Sequence, residues 1–326
     1  MRRLWSVLAA LALSAVSPAG AQTYPSRPVR ILVPYAPGGA TDIVARLVAD
    51  RMRETLGQTF VVENKPGAFG IVALEEVARA QPDGYTLMVG NVSTNAITPL
   101  IYKDKMRADY ERSVTPVARL AVIPAVIAAS TTSAVKFGSL AELVAYGRNN
   151  PGKLNYTSAG VGSYPHYDAA LFAKRAGFES VHVPTKAGAS GMLTDMMTGD
   201  VQWGFINAAS TLGNIQAGQL KALAVITDKR MPELPDVPTV AELGYPGAGT
   251  FNWQGLYATA GTPRPILETL NKAVIEAMAS PAVKAIFDKQ TISAVPTRSL
   301  DEAQAWMRDE MALWKKTVAE SGVTIN

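Results

Sequence analysis

The sequence predicts an α/β protein of two wound lobes with largely parallel sheets, and three observations carry that prediction. From Val29 onward, short β-rich runs alternate with amphipathic helical ones. A chain of 326 residues is long enough to bury two cores. Glycine-rich turns recur where a strand ends and a helix begins.

Arg2 and Arg3 open the chain, followed by an apolar run from Leu4 to Val16, Pro18 and the triplet Ala19-Gly20-Ala21. This is the pattern of a secretory signal peptide at 1–21 with an Ala-x-Ala-like cleavage site. The apolar run of 13 residues is well short of the roughly 20 a membrane-spanning helix needs. Cleavage after Ala21 is therefore expected, leaving 305 of the 326 residues as a mature chain that starts at Gln22. Charged residues, Gly or Pro interrupt every later apolar stretch, so a protein free of the membrane and outside the cytoplasm is expected.

Val29 to Tyr35 reads as a buried strand. The helix after it gathers Ile43, Val44, Leu47, Val48 and Met52 on one side and ends near Gly57. Thr59 to Glu63 is a strand, Ile71 to Ala80 a helix and Tyr85 to Gly90 a strand, which completes one small wound lobe. A second series runs helix 139–149, strand 154–157, helix 164–176, strand 180–184, helix 191–198, strand 201–206, helix 211–217 and strand 220–226. Arg230 to Gly249, rich in Pro and Gly, reads as a connecting stretch without a core. A strand at 253–258 and helices at 265–279 and 300–321 close the chain.

Composition excludes several functions. With no cysteine there is no disulfide framework, thiol chemistry, thiolate metal site or lipid-bearing cysteine. Removing Arg2 and Arg3 leaves 29 basic against 27 acidic residues, scattered without the basic stripe of a nucleic-acid binder. The sequence pI near 9.1 favours anionic ligands in a general way. The two histidines, His166 and His182, have no Glu at metalloprotease spacing, so no metal site is expected. Gly188-Ala189-Ser190-Gly191 lacks the spacing of a serine-hydrolase elbow. Gly147 to Lys153 is nearly a phosphate loop, but Leu154 stands at the Ser/Thr position and a helix precedes it. Gly160-Val161-Gly162 lacks the third glycine of a dinucleotide fingerprint. No cofactor is expected, and an enzyme is the weaker alternative.

Three loops remain, each following a strand and opening a helix: Pro37 to Asp42, Pro66 to Gly70, and Ser158 to Ser163. Glycine lets the backbone approach a ligand, and the free N–H groups at a helix N-terminus favour an anion. Any one such loop reads more readily as an ordinary turn or cap; three at the same topological position favour a site at the carboxyl ends of the strands. Asp42 fits a first-turn acid complementing its own helix dipole. His166 fits either a site residue or a surface residue, and His182 a structural one. Tyr35, Phe69 and Trp253 fit either ligand packing or core.

These same residues carry a resemblance. Val33-Pro34-Tyr35-Ala36-Pro37-Gly38-Gly39-x-x-Asp42, Glu63 to Ala68 and Pro82 to Leu87 resemble the Bug family, the solute-binding proteins of tripartite tricarboxylate transporters. So do Tyr156 to Ser163 with His166, His182-Val183-Pro184, Leu234 to Thr239 and Gly261-Thr262-Pro263, in order over nearly the whole mature chain. The resemblance implies a type II periplasmic-binding-protein fold, two wound α/β lobes around a central ligand cleft. Lobe 1 would span 22–124 and 250–326, and lobe 2 would span 125–249.

It also implies a periplasmic receptor that captures a small carboxylate (dicarboxylate, tricarboxylate or aromatic carboxylate) and delivers it to membrane transporter subunits. The alternative is a ligand-sensing subunit feeding a two-component system. A monomer is expected. Tyr35, Ala36, Gly38, Gly39 and Asp42 with Ala68, Phe69 and Gly70 would hold a carboxylate through backbone groups and bridging waters. Ser158, Ala159, Gly160, Ser163 and His166 would close on it, and Asn91, Ser93, Thr94 and Asn207 would set specificity. Phe69 and Thr185 depart from the family's usual glycine and tyrosine, which puts a dicarboxylate preference in question. Lys65 and Lys186 are expected to matter little, and Gly39→Val to abolish binding, both by blocking approach and by barring the backbone angles the loop needs.

Overall fold

The computed structural model describes residues 24–185 and 188–323. The signal segment, its cleavage site and Lys186 therefore lie outside the described residues. The β-branched run Val29–Val33 is strand β1, and four of its five residues are buried. The chain crosses through helix α1 (Ala40–Leu56) to β2 (Phe60–Asn64), then through α2 (Ile71–Arg79) to β3 (Thr86–Asn91). Both β2 and β3 pair parallel to β1. On α1, Val44, Ala45, Val48, Ala49 and Met52 turn inward, and Gly57 in the left-handed conformation ends the helix, its N–H on the Arg53 carbonyl at 3.0 Å. Of the residues expected on that side, Ile43 and Leu47 are only half-buried.

Short helical turns over 93–113 lead to β4 (Val114–Ile123), and Pro124 separates it from β5 (Ala125–Ser130). Helices α3 (Leu140–Asn149), α4 (Tyr164–Ala176), α5 (Gly188–Thr198) and α6 (Ala208–Gln216) then alternate with β6 (Leu154–Ser158), β7 (Ser180–Pro184), β8 (Trp203–Asn207) and β9 (Leu220–Ile226). The chain returns through β10 (Asn252–Thr259), α7 (Arg264–Met278), α8 (Pro281–Lys289), the two-residue β11 (Ser293–Ala294) and α9 (Leu300–Ser321). Ser139 and Ser299 cap α3 and α9, each accepting from the backbone N–H three residues on.

Two sheets result, ordered β11-β4-β10-β3-β1-β2 and β7-β6-β8-β5-β9. Neither is largely parallel. β10 runs antiparallel to both β3 and β4, and β5 antiparallel to both β8 and β9. These are the places where the chain passes between the two bodies, so each returning strand enters its sheet reversed. Each sheet carries helices on both faces, giving four apolar clusters.

The stretch 230–249 is not coreless as expected. Met231 and Leu234 pack into one cluster beside the second sheet, Val240 and Ala248 into the other. Thr239 and Glu242 cap each other there, backbone N–H to side-chain oxygen in both directions, at 2.7 and 3.1 Å. Among the described residues no helix is long and apolar enough to cross a membrane.

Candidate functional site

β1 and β2 end side by side, which brings the first two glycine loops together. The first is tied down by Asp42, only 3% exposed. One carboxylate oxygen accepts from the Gly38 N–H and Arg46 Nε, both at 2.9 Å, and the other from Asn64 Nδ2 at 2.8 Å. Asn64, at the end of β2, also donates to the Tyr35 carbonyl at 3.0 Å and accepts from Arg46 at 2.9 Å. Burial alone would raise the Asp42 carboxyl, but the bonds from Arg46, Gly38 and Asn64 outweigh it and hold the group below its ordinary value. Asp42 is thus a brace inside the loop. Gly38, at φ +88°, takes a left-handed turn that a side chain disfavours. The α1 N-terminus has no side-chain cap, so its first amides are left for water or an anion.

The second loop is a left-handed run: Gly67 at φ +140°, Ala68 at +45°, Phe69 at +56° and Gly70 at +91°. Ala36, Gly39, Ala68 and Phe69 are exposed, whereas Gly70 is buried. A Cβ at Gly70 would stand 2.6 Å from Thr94 Cγ2, so glycine is what lets the loop seat against the end of β3. Asn91 and Thr94 are buried beneath. The Asn91 Oδ1 accepts from the Tyr35 hydroxyl at 2.9 Å and the Thr94 N–H at 3.3 Å, and its Nδ2 donates to Thr41 Oγ1 at 3.4 Å. Burial pushes the Tyr35 phenol up to about 12 against the bonds from Asn91 and Thr94.

The third loop joins β6 to α4. Ser158 donates to the Gly160 carbonyl at 2.9 Å and accepts from the Gly160 N–H at 3.2 Å, while Ser163 donates to the same carbonyl at 2.7 Å. Ala159 is exposed and Gly160 buried. His166, 6% exposed, is no surface residue. Its Nδ1 accepts from the Gly162 N–H at 3.1 Å, which leaves the ring proton on Nε2. His166 stacks on His182 at 3.7 Å between centroids and 11° between planes. Burial lowers the two rings to about 3 and about 4, for His166 with the help of its neighbour, so both stay neutral. Ser158 Oγ lies 2.7 Å from His182 Nε2, the separation of a nucleophile and its base. Yet Ser158 is fully buried and its hydroxyl is spent on its own loop.

Elements of both sheets meet around these loops. The Tyr164 N–H donates to Ser93 Oγ at 3.1 Å. Asn207, at the end of β8, accepts from the Tyr164 hydroxyl and from Asn252 Nδ2, and Asn252 in turn accepts from Gln254 at 3.3 Å. A Cβ on Gly160 would stand 3.5 Å from Phe69 Cε1. Sixteen of the seventeen sequence candidates therefore fall on three loops and the strand ends beside them, and His166 lies in the first turn of α4. Asp42, Asn91, Thr94 and His166 are buried braces, and Ala36, Gly39, Ala68, Phe69 and Ala159 are exposed.

Trp253 is core, 2% exposed and edge-on to Trp306. Sequence reasoning missed Asn64, Tyr164, Asn252 and Gln254. The last two carried a signal: polar residues at alternate positions in an otherwise apolar strand. The cations near the first two loops are engaged. Arg46 holds Asp42, and Lys65 lies 3.4 Å from Glu76 and 3.9 Å from Glu63. The arrangement offers amides, hydroxyls and an aromatic face, which suits holding an anion.

A sequence model of tripartite tricarboxylate transporter family receptors matches residues 44–323. The protein BugT of Bordetella pertussis is 32% identical over 327 residues, covering 100% of this chain and 99% of that one. Among solved structures, R. palustris Rpa4515 with adipate is 34% identical with a TM-score of 0.83, over 92% of this chain and 99% of that one. MatC of Rhodopseudomonas palustris with bound malate is 31% identical with a TM-score of 0.78, over 90% of this chain and 100% of that one.

Proposed function

The chain belongs to the tripartite tricarboxylate transporter receptor family, a family of solute-binding receptors and not of enzymes, and on that premise we propose that it captures a small carboxylate in the periplasm and delivers it to membrane transporter subunits. The observation that carries the proposal is the convergence of the three glycine loops from two sheets, with Ser93 of one bonded to Tyr164 of the other. The neighbours whose structures hold adipate and malate support the ligand class.

In this proposal the exposed backbone of Ala36 to Gly39 and of Ala68 to Phe69 meets the carboxylate, while Asn207 and Ser93 face the rest of the ligand. Asp42, Asn91, Thr94 and His166 act through the loops they brace. The lobes divide at 124/125 and 249/250, supported by Pro124 between β4 and β5 and by the return strand β10. Export through a signal cleaved after Ala21 rests on the sequence of 1–21.

A thermal-shift screen of carboxylates on the mature protein tests the proposal, because a ligand that binds only the folded state raises the melting temperature by mass action. At about a hundred times its dissociation constant such a ligand adds about 2.7 kcal/mol, a rise of several degrees. A screen in which adipate, malate, citrate and aromatic carboxylates all leave the melt unmoved, or in which a hit is turned over, overturns it.

A further inference from the structure

Phe69, at 52%, is the most exposed large apolar side chain among the described residues. It is nevertheless held firmly. Its carbonyl accepts from Thr98 Oγ1 at 2.9 Å, and its ring stacks on Tyr102 at 5.1 Å between centroids and 18° between planes. Lys105 Nζ lies 5.2 Å from the centroid of that same Tyr102 ring. The adjoining Gly70 is wedged against Thr94.

The backbone is strained to achieve this, since Ala68 and Phe69 are consecutive non-glycine residues in the left-handed region. Such strain persists only where surrounding contacts over-determine it, and it gathers at ligand clamps. Phe69 also points across the gap, its Cε1 lying 3.5 Å from where a Cβ on Gly160 would be. A rigid, half-exposed ring thus stands between the two loops that close on the ligand.

We propose that Phe69 is the specificity-determining wall of the site, stacking on the planar apolar body of an aromatic carboxylate while the glycine loops hold the carboxylate. The inference rests on the solute-binding role proposed above and names the ligand class within it. A ring face rewards offset stacking of a second π-system. A hydroxylated or tricarboxylic body pressed against the same face would shed water with nothing to replace it.

Calorimetry on the full mature chain with benzoate and phthalate isomers against malate and citrate tests this, using wild type, Phe69→Leu and Phe69→Gly. Phe69→Leu keeps an apolar bulk without the ring. Phe69→Gly relieves the left-handed strain and should melt no lower than wild type. Wild type is expected to prefer at least one aromatic carboxylate to malate, and in both variants the affinity for that aromatic carboxylate is expected to fall roughly five- to ten-fold relative to malate, the scale of one stacked pair. Malate or citrate binding with no aromatic preference, or equal losses for both classes, overturns the inference and leaves the receptor role standing. Failure of wild type to bind any carboxylate overturns both.

Discussion

Asp42 spends its whole carboxylate inside the protein, on Gly38, Arg46 and Asn64. Arg46 is therefore already engaged, and the Gly38 turn is held by bonds within the protein. Lys65 is similarly committed to Glu76. In the proposed mode an arriving carboxylate meets amides at the start of α1, which has no side-chain cap. Lys65→Ala should cost less than about 1 kcal/mol of binding, the range of a solvent-exposed ion pair. Gly39→Val should be severe for a narrower reason than the sequence suggested. Gly39 lies at φ −77° and ψ 164°, ordinary extended backbone, and its Cβ would meet only the Ala36 carbonyl, at 4.0 Å. The left-handed constraint belongs to Gly38. A valine at 39 is therefore tolerated by the fold and acts by covering the α1 amides. Its melting temperature should stay within about 2 °C of wild type while affinity drops roughly a hundred-fold, the worth of one or two hydrogen bonds to a charged group. Calorimetry on both variants decides it: full binding by Gly39→Val beside a collapse in Lys65→Ala would mean a side-chain ion pair holds the anion.

Helix α4 carries two buried titratable groups two residues apart, and they respond to pH in opposite directions. Burial, aided by His182, depresses His166 from 6.5 to about 3. Its contribution is present above pH 6.5 and is lost as pH falls. Asp168 goes the other way. Burial raises it from 3.8 to about 7, against bonds from the Thr250 N–H at 3.0 Å and hydroxyl at 2.8 Å just before β10. Its contribution is full below pH 3.8, declines as pH rises and is gone above about 7. Asp168→Asn keeps an oxygen for Thr250 and removes the charge. Its unfolding free energy should gain on that of wild type between pH 4 and 7, by at most about 1.4 kcal/mol per pH unit, and then run parallel; a gap that is constant from pH 4 to 9 would show that Asp168 does not titrate here. Helix α4 was also legible to the residue, as was α9, because each has an amphipathic face bounded by glycine or a serine cap. Strands β4 and β5 were not, since Val114 to Ser130 is nearly continuous apolar chain broken by Pro116 and Pro124, where periodicity has nothing to report. Antiparallel entry of β10 was invisible for a different reason: its partners β3 and β4 lie far away in sequence. The glycine loops were legible because backbone geometry selects the residue. The braces Asn64, Tyr164 and Asn252 were not, because the fold supplies their partners.

At the scale of the molecule, the two lobes meet through contacts of two kinds. Behind the site, α4 packs on α9, with Tyr167 edge-on to Trp314 at 6.1 Å and Lys174 donating to the Glu320 carbonyl at 2.7 Å. Asp168 and Thr250 add a polar tie at the point where the chain recrosses. In front, two hydrogen bonds cross: Asn252 Nδ2 donates to Asn207 at 3.2 Å, and the N–H of Tyr164, at the start of α4, donates to Ser93 Oγ of the opposite lobe. Ser163 makes no side-chain cap of its own, its hydroxyl going to Gly160, and Pro165 has no N–H to offer. The first turn of α4 is therefore capped from across the cleft, a bond available only when the lobes are together. An open cleft would return that N–H to water and leave a bound anion solvated on one side, whereas closure surrounds the anion with donors, so ligand and cap favour the same state. Saturating carboxylate should lower the radius of gyration seen by solution scattering. Ser93→Ala should weaken binding by at least about 1 kcal/mol, the usual value of a lost N-cap, and, in the proposed closure in which the cap forms after capture, should do so mainly by speeding dissociation. Scattering curves that do not move with ligand, together with unaltered dissociation from Ser93→Ala, would mean that the lobes stand in one fixed arrangement and that the cap is incidental to capture.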